Sequence, residues 1–214
     1  MNILIPMAGL GQRFVNEGYR TPKPLIMVKG KTILEWTLES FPIQKEDTLW
    51  FAVLKKHQTD IEPFLYKTYG SDIQIVIIDE LTDGNLETVY MCIEQMDNNN
   101  LIILDCDNKY DHNNIRSFIE QIPADKESSA VFHFKNDDRS LPNKWANLSM
   151  NDTLVTEIRE KDNGWVDKSK LIGIFYVNDI SFLRKQAEKI CDSIVKNDAN
   201  ASVETIIKLA LKNL

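Results

Sequence analysis

The apolar residues of this chain come in short unbroken runs early on and in looser alternation later. Asn2 to Pro6, Thr48 to Leu54, Ile73 to Asp79 and Leu101 to Leu104 have the length and the Ile/Val/Leu content of buried strands. Between them, Thr32 to Phe41, Thr59 to Tyr69, Leu86 to Met96 and Asn113 to Ile122 carry apolar residues at helical spacing. Continuous apolar strands separated by helices predict an α/β fold: a Rossmann-like, mostly parallel sheet with helices on both faces. The later chain changes style. Ser129 to Phe134, Trp145 to Met150, Leu154 to Ile158 and Leu171 to Val177 read as strands with few helices between them. They make the sheet mixed and suggest a β-rich lid or second half-site. Helices at Ile180 to Ile194 and Ser202 to Leu211 follow. No repeat is found, and a single domain over residues 1–214 is expected, with a first part at 1–125 and a second at 126–214.

Composition narrows the class. With 214 residues, 43% hydrophobic and 27% charged, the chain can bury a core without disulfide or metal staples. A net charge of −7 argues against nucleic-acid and membrane-surface partners, yet a local basic loop can still hold a small anion. Cys92, Cys106 and Cys191 lack Cys-x-x-Cys spacing and read as reduced thiols of a cytoplasmic protein. No apolar stretch approaches the ~18–20 residues of a membrane span, and the N-terminus does not read as a signal peptide.

Ligands of open parallel sheets bind at the carboxyl ends of the strands, and three such ends are chemically loaded here. After the first strand, Gly9 and Gly11 let the backbone approach a ligand and expose N–H groups to phosphate oxygens. Arg13 adds a forked donor and Lys23 a compact charge, with Pro22 and Pro24 restricting the backbone that presents it. A dinucleotide fingerprint fails because Phe14 stands where its third glycine belongs, and a P-loop fails at Leu25. The other loaded ends are Asp79 to Gly84 and Asp105-Cys106-Asp107. A hard divalent cation takes one or two carboxylates plus phosphate oxygens, although either aspartate could instead cap the following turn.

Ile5-Pro6-Met7-Ala8-Gly9-Leu10-Gly11-Gln12-Arg13 followed by Pro22-Lys23-Pro24-Leu25 resembles the signature of the sugar-phosphate nucleotidylyltransferase family. The Gly18-Tyr19-Arg20-Thr21 insert and the Pro-Lys-Pro-Leu-Ile run are similar to the bacterial capsule and surface-polysaccharide subgroup. That subgroup includes cytidylyltransferases acting on phosphocholine-like and phosphoglutamine-like acceptors. The resemblance implies a nucleotide-binding part at 1–125 and an acceptor-binding part at 126–214. It implies that the backbone of Ala8 and Gly9 meets the base and sugar. Gly11, Gln12 and Arg13 would wrap the β- and γ-phosphates, and Lys23 would reach the α-phosphate. Mg²⁺ would sit on Asp107, preceded in this chain by Cys106 where the family normally has glycine. Glu204 could be a second metal ligand, or only a first-turn helix residue.

The same resemblance places Glu160 and Lys161 in the Glu-Lys element that contacts the acceptor or its phosphate; a solvated charge run is the alternative. Gly173 matches a glycine near the acceptor, or marks a strand bulge. Asp79, Asp83 and Gly84 stand where the family reads the base. A carboxylate there can accept from the amino group of cytosine, which favours CTP; an acidic surface turn is the plain alternative. The expected activity is Mg²⁺-dependent transfer of a nucleoside monophosphate, CMP first, to a phosphorylated acceptor such as phosphoglutamine. Pyrophosphate would leave, and the product would be an activated precursor for a capsular or surface polysaccharide. UTP or dTTP with a hexose 1-phosphate is the main alternative. From other classes, an Asp-x-Asp glycosyltransferase and a non-catalytic nucleotide-binding module remain. His57, His112 and His133 show no ligand spacing, and no nucleophile–base set stands out. The late strands could serve an interface between copies of the chain.

Overall fold

The continuous apolar runs form neighbouring strands of one sheet. The computed structural model describes residues 1–110, 114–135, 146–159 and 169–194. The first half of the chain forms β1 (Asn2–Met7), α1 (Gln12–Asn16), β2 (Met27–Val28), β3 (Lys31–Thr32), α2 (Ile33–Glu39), β4 (Thr48–Leu54), α3 (Gln58–Tyr69), β5 (Gln74–Ile78) and α4 (Asn85–Ile93). Then come β6 (Leu101–Leu104), α5 (Ile115–Ile119), β7 (Ser129–Lys135), β8 (Asn147–Asn151), β9 (Leu154–Arg159), β10 (Ser169–Val177) and α6 (Ile180–Ile194).

Among the described residues the main sheet has eight strands in the order β5-β4-β1-β6-β10-β8-β9, with β7 also on β10. β5, β4, β1 and β6 are parallel, so their carboxyl ends line up along one edge. β10 runs antiparallel to β6, with Ile174 opposite Leu104 and Val177 opposite Leu101. The sheet is therefore mixed, and the late strands extend it rather than form a second one. β7 and β8 pair with β10 antiparallel, and β9 pairs with β8 in the same sense.

The strands are unbroken apolar runs because both faces are covered. Leu4, Ala52, Val76, Leu101 and Ile103 face α4 and α6 through Leu86, Val89, Ile93, Ile180 and Leu183. Ile3, Ile5, Phe51, Val53, Ile102 and Leu104 pack on the opposite side against Leu34, Leu38, Ile61 and Leu65 from α2 and α3. Each fully buried Leu, Ile or Phe contributes roughly 1.5–3 kcal/mol. A buried carboxylate ties the edge of this core. Asp47 pairs with Arg116 of α5 and accepts from the Gln44 amide N–H at 2.8 Å.

Two small features depart from the sequence expectation. Gln12–Asn16 is a short helix, and Met27–Val28 with Lys31–Thr32 is a two-stranded hairpin turning through Lys29 (φ 50°) and Gly30 (φ 87°). Both central residues have positive φ, as tight hairpin turns require. Two-residue strands are too short to show a period. α2 starts on a capping box: the Glu35 amide donates to Thr32 Oγ1 at 3.1 Å, and the Thr32 amide to Glu35 Oε2 at 2.7 Å. The expected helix at Ser202 to Leu211 lies outside the described residues. None of the described helices is long and apolar enough to cross a membrane.

Candidate functional site

The carboxyl ends of β1 and β6 are adjacent, so the segments that follow them meet. Ala8 is buried against the α4 side of the sheet, and Gly9 is exposed, with open space where a side chain would stand. Gly11 has φ 61° and ψ 37°, the left-handed region. A Cβ there would stand 3.0 Å from Lys23 Cβ. Glycine at this position thus serves both the turn and the passage of the lysine side chain. Lys23 itself lies on a 3₁₀ turn (Lys23–Leu25) between Pro22 and Pro24, both buried, which fixes the backbone that presents it.

Lys23 Nζ lies 2.6 Å from Asp107 Oδ2, with the lysine side chain 25% and the aspartate 43% exposed. Burial acts to lower the lysine pKa, but the acidic groups around it, among them the Asp107 carboxylate that it hydrogen-bonds, outweigh burial and hold the pKa above its ordinary value. The ammonium is therefore fully charged at neutral pH. Cys106, which stands between the two aspartates, points into the core. Burial pushes its thiol up to about 12 against the opposing charge of Lys23. A neutral buried thiol is neither a nucleophile nor a metal ligand, so the cysteine acts here as a core residue.

Asp105 and Gly173 also meet. The Asp105 amide donates to the Gly173 carbonyl at 2.9 Å, continuing the β6–β10 pairing past the end of β6. Gly173 has φ 70°, and a Cβ there would overlap the Asp105 carboxylate, 2.5 Å from Cγ. β10 shifts register against β7 at this place, between Leu171 and Phe175. Two residues to which sequence reasoning gave no role bind here. Asn108 Nδ2 donates to the Ile172 carbonyl at 3.0 Å, and the Tyr110 hydroxyl lies 3.3 Å from both the Asp105 and Gly173 carbonyls. Their partners on β10 are more than 60 positions away, so no local pattern announces those contacts.

The remaining candidates are more dispersed. Gln12 Nε2 donates to Asn16 Oδ1 at 2.9 Å, and Arg13 is exposed on α1 with no ion pair among the described residues. Phe14 and Tyr19 pack edge to face, centroids 5.8 Å apart, folding the insert back on α1. Asp79 lies at the end of β5, separated from β1 by β4, and pairs with Lys55 Nζ at 2.6 Å. The Lys55 pKa is raised by that carboxylate. Asp83 is exposed, its amide donating to Glu87 Oε2 at 2.7 Å, and Gly84 precedes α4. Glu160, Lys161 and Glu204 lie outside the described residues. No cluster of three or more metal-ligating side chains occurs among the described residues.

No protein-family model matches the chain, and no curated protein matches it in sequence. Solved structures do match in fold. The inositol-1-phosphate CTP transferase from T. maritima superposes with a TM-score of 0.79 at 13% identity, over 100% of this chain and 82% of that one. A protein designated a glucose-1-phosphate thymidylyltransferase, from Bacillus anthracis, gives 0.78 at 20% identity over 100% and 83%. A nucleoside-diphosphate-sugar pyrophosphorylase from Vibrio cholerae gives 0.75 at 17% identity over 99% and 88%. At these identities the likeness is one of fold.

Proposed function

We propose that this chain is a nucleotidylyltransferase. In this reading it moves a nucleoside monophosphate, CMP first, from a triphosphate to a phosphorylated acceptor and releases pyrophosphate. The observation that carries it is the meeting of Lys23 with Asp107 at 2.6 Å, beside Gly11, in the segments that follow two adjacent parallel strands. The fold shared with nucleotide-using transferases supports it.

Phosphoryl-type transfer needs positioning and charge neutralisation more than covalent help from the protein. An oxygen of the acceptor phosphate attacks the α-phosphorus in line; the bond to the bridging oxygen of the β-phosphate breaks, and pyrophosphate departs with that oxygen. Lys23 holds a charge against the α-phosphate. The open space beside Gly9 leaves room for the nucleotide, with the Ala8 and Gly9 backbone toward its base and sugar, and Gly11, Gln12 and Arg13 face the leaving pyrophosphate. Glu160 and Lys161 orient the acceptor phosphate, near Gly173. Asp107 fits a hard divalent ion: it is a half-exposed carboxylate beside the phosphate-facing lysine, and such ions are held by few carboxylates plus phosphate oxygens. Glu204 would be its second chain ligand. When bound, Mg²⁺ supplies Lewis-acid stabilisation of charge on the phosphates.

Asp79, Asp83 and Gly84 would read the base, an acidic set that suits the cytosine amino group. Lys55 beside Asp79 favours a second reading, because its ammonium could donate to O4 of uracil or thymine. That reading is a hexose-1-phosphate nucleotidylyltransferase using UTP or dTTP. The product would feed surface-polysaccharide assembly, with a phosphoglutamine-like acceptor under the first reading. Pyrophosphate release, measured for each common triphosphate against phosphocholine, phosphoglutamine and hexose 1-phosphates, tests both. Turnover with CTP and a non-sugar acceptor is expected; none with any pair would overturn the assignment.

A further inference from the structure

The carboxylate of Asp107 stands at the tip of a turn, and outside its contact with Lys23 its position depends on what holds that turn. The turn is fastened to two distant places, β10 and the end of α2. Asn108 reaches the Ile172 carbonyl at 3.0 Å; Tyr110 places its hydroxyl 3.3 Å from both the Asp105 and the Gly173 carbonyls. The Tyr110 amide donates to Ser40 Oγ at 2.9 Å, and Ser40 in turn donates to the Thr37 carbonyl at 2.8 Å, at the end of α2. The Tyr110 ring is buried and meets Phe41 edge to face at 6.2 Å. Burial, with Asp105 next, raises the phenol pKa, so the hydroxyl keeps its proton and can donate. The close approach of the two segments is possible only because residue 173 has no side chain: a Cβ would stand 2.8 Å from Asn108 Nδ2 as well as overlap Asp105.

We propose that Asn108 and Tyr110 are positioning residues: they clamp the Asp105–Asp107 turn to β10 at Gly173 so that the Asp107 carboxylate is held beside Lys23 before any ligand arrives. This rests on the proposed nucleotidyl transfer, where Asp107 would hold the divalent ion. Groups that orient a metal ligand from behind typically change metal affinity or activity 10–100-fold when removed, and small misplacements of reacting groups cost comparable factors in rate.

The test measures Mn²⁺ binding to the full chain by electron paramagnetic resonance in the presence of CTP, with UTP and dTTP as parallel arms, for wild type, Asn108→Ala, Tyr110→Phe and Tyr69→Phe. Tyr69 is the control, since its hydroxyl has no hydrogen-bond partner among the described residues. Each clamp variant is expected to weaken Mn²⁺ binding about tenfold at a temperature where near-UV circular dichroism shows it folded, with Tyr69→Phe unchanged. In turnover, kcat is expected to fall while KM for the acceptor stays within about twofold of wild type, the split that separates a misplaced ligand from a loosened fold. Wild-type Mn²⁺ affinity in both clamp variants would overturn the clamp and leave the proposed function standing. Absence of Mn²⁺ binding by wild type with every triphosphate would overturn both. Should Tyr110→Phe fail to fold, Asn108→Ala decides, because its side chain leaves the core packing intact.

Discussion

Gly173→Ala isolates the contact on which the site geometry turns. Two costs are visible. The residue sits at φ 70°, in the left-handed region, where a Cβ costs roughly 1–2 kcal/mol. The added methyl also overlaps the Asp105 carboxylate, reaching 2.5 Å from its Cγ. Ordinary contact needs more than 3.4 Å by the same measure, so Asp105 or β10 must move by about an ångström, an overpacking cost of roughly 1–3 kcal/mol. Together these predict a loss of about 2–5 kcal/mol, or roughly 4–20 °C in Tm for a domain of this size. Differential scanning fluorimetry measures the shift, and pyrophosphate release below the lowered Tm measures turnover. The double variant Asp105→Ala/Gly173→Ala should recover the Asp105 part of the overlap, but neither the φ share nor the 2.8 Å approach to Asn108 Nδ2, a coupling of about 0.5–3 kcal/mol in a double-mutant cycle. A Tm within 2 °C of wild type for Gly173→Ala, or strict additivity in the cycle, would show that the two segments do not meet as described.

Lys23→Ala and Asp107→Ala should each reduce pyrophosphate release at least about 100-fold while the circular dichroism spectrum is kept; wild-type turnover in either would remove that residue from the mechanism. Thr32→Ala should cost α2 about 1 kcal/mol, measured as a shift in the urea midpoint, because it removes the Oγ1 that accepts from the Glu35 amide while leaving the residue-32 amide to donate to Glu35. Asp47→Ala should cost about 3–5 kcal/mol, read the same way, since it leaves Arg116 beside the core without its carboxylate. Burial pushes the thiols of Cys92 and Cys106 up to about 12. Both folded values lie above the unfolded ~8.5, so their stabilising effect is complete below that pH and is lost as pH rises toward 12. Each contributes a slope near 1.4 kcal/mol per pH unit across that window; Cys106→Ala should flatten the alkaline fall in urea stability, and an unchanged slope would contradict the buried thiol.

What the sequence makes legible is whatever repeats locally. β4 and β6 appear with the bounds their apolar runs predict, and so does α6. α4 ends at Ile93 rather than Met96 because the following residues tighten into three-residue turns, with Gln95 donating to Cys92 and Met96 to Ile93. α5 is short for a similar reason, with Gln121 donating to Phe118 and Ile122 to Ile119. Of the candidate site, Lys23 and Asp107 could be expected together, since both follow ends of a parallel sheet. The Asn108 and Tyr110 attachments could not, because they depend on β10 running beside β6, and nothing in either segment alone encodes that pairing. The Lys55–Asp79 pair was hidden likewise: it requires β4 and β5 to be neighbours, which the order of the strands decides.

In the proposed function, that strand order also accounts for how a chain with net charge −7 would hold a polyphosphate. β1 and β6 are adjacent, so the glycine turn and the Asp107 turn share one corner of the sheet, and Lys23 enters between them on a backbone stiffened by two prolines. In the structure Asp107 answers the lysine charge at 2.6 Å. A phosphate competing for Lys23 must displace that carboxylate, and a divalent cation competing for Asp107 must displace the ammonium. Either ligand alone breaks the ion pair and leaves one partner uncompensated; both together satisfy the two charges. In the proposed function this makes triphosphate and divalent ion mutually reinforcing ligands, a coupling that reciprocity requires to be equal whichever binds first. Isothermal titration of CTP with and without Mn²⁺ should therefore show a larger metal effect in wild type than in Lys23→Met, where the competing ammonium is gone. The same metal effect in both proteins would mean that the pair plays no part in the coupling.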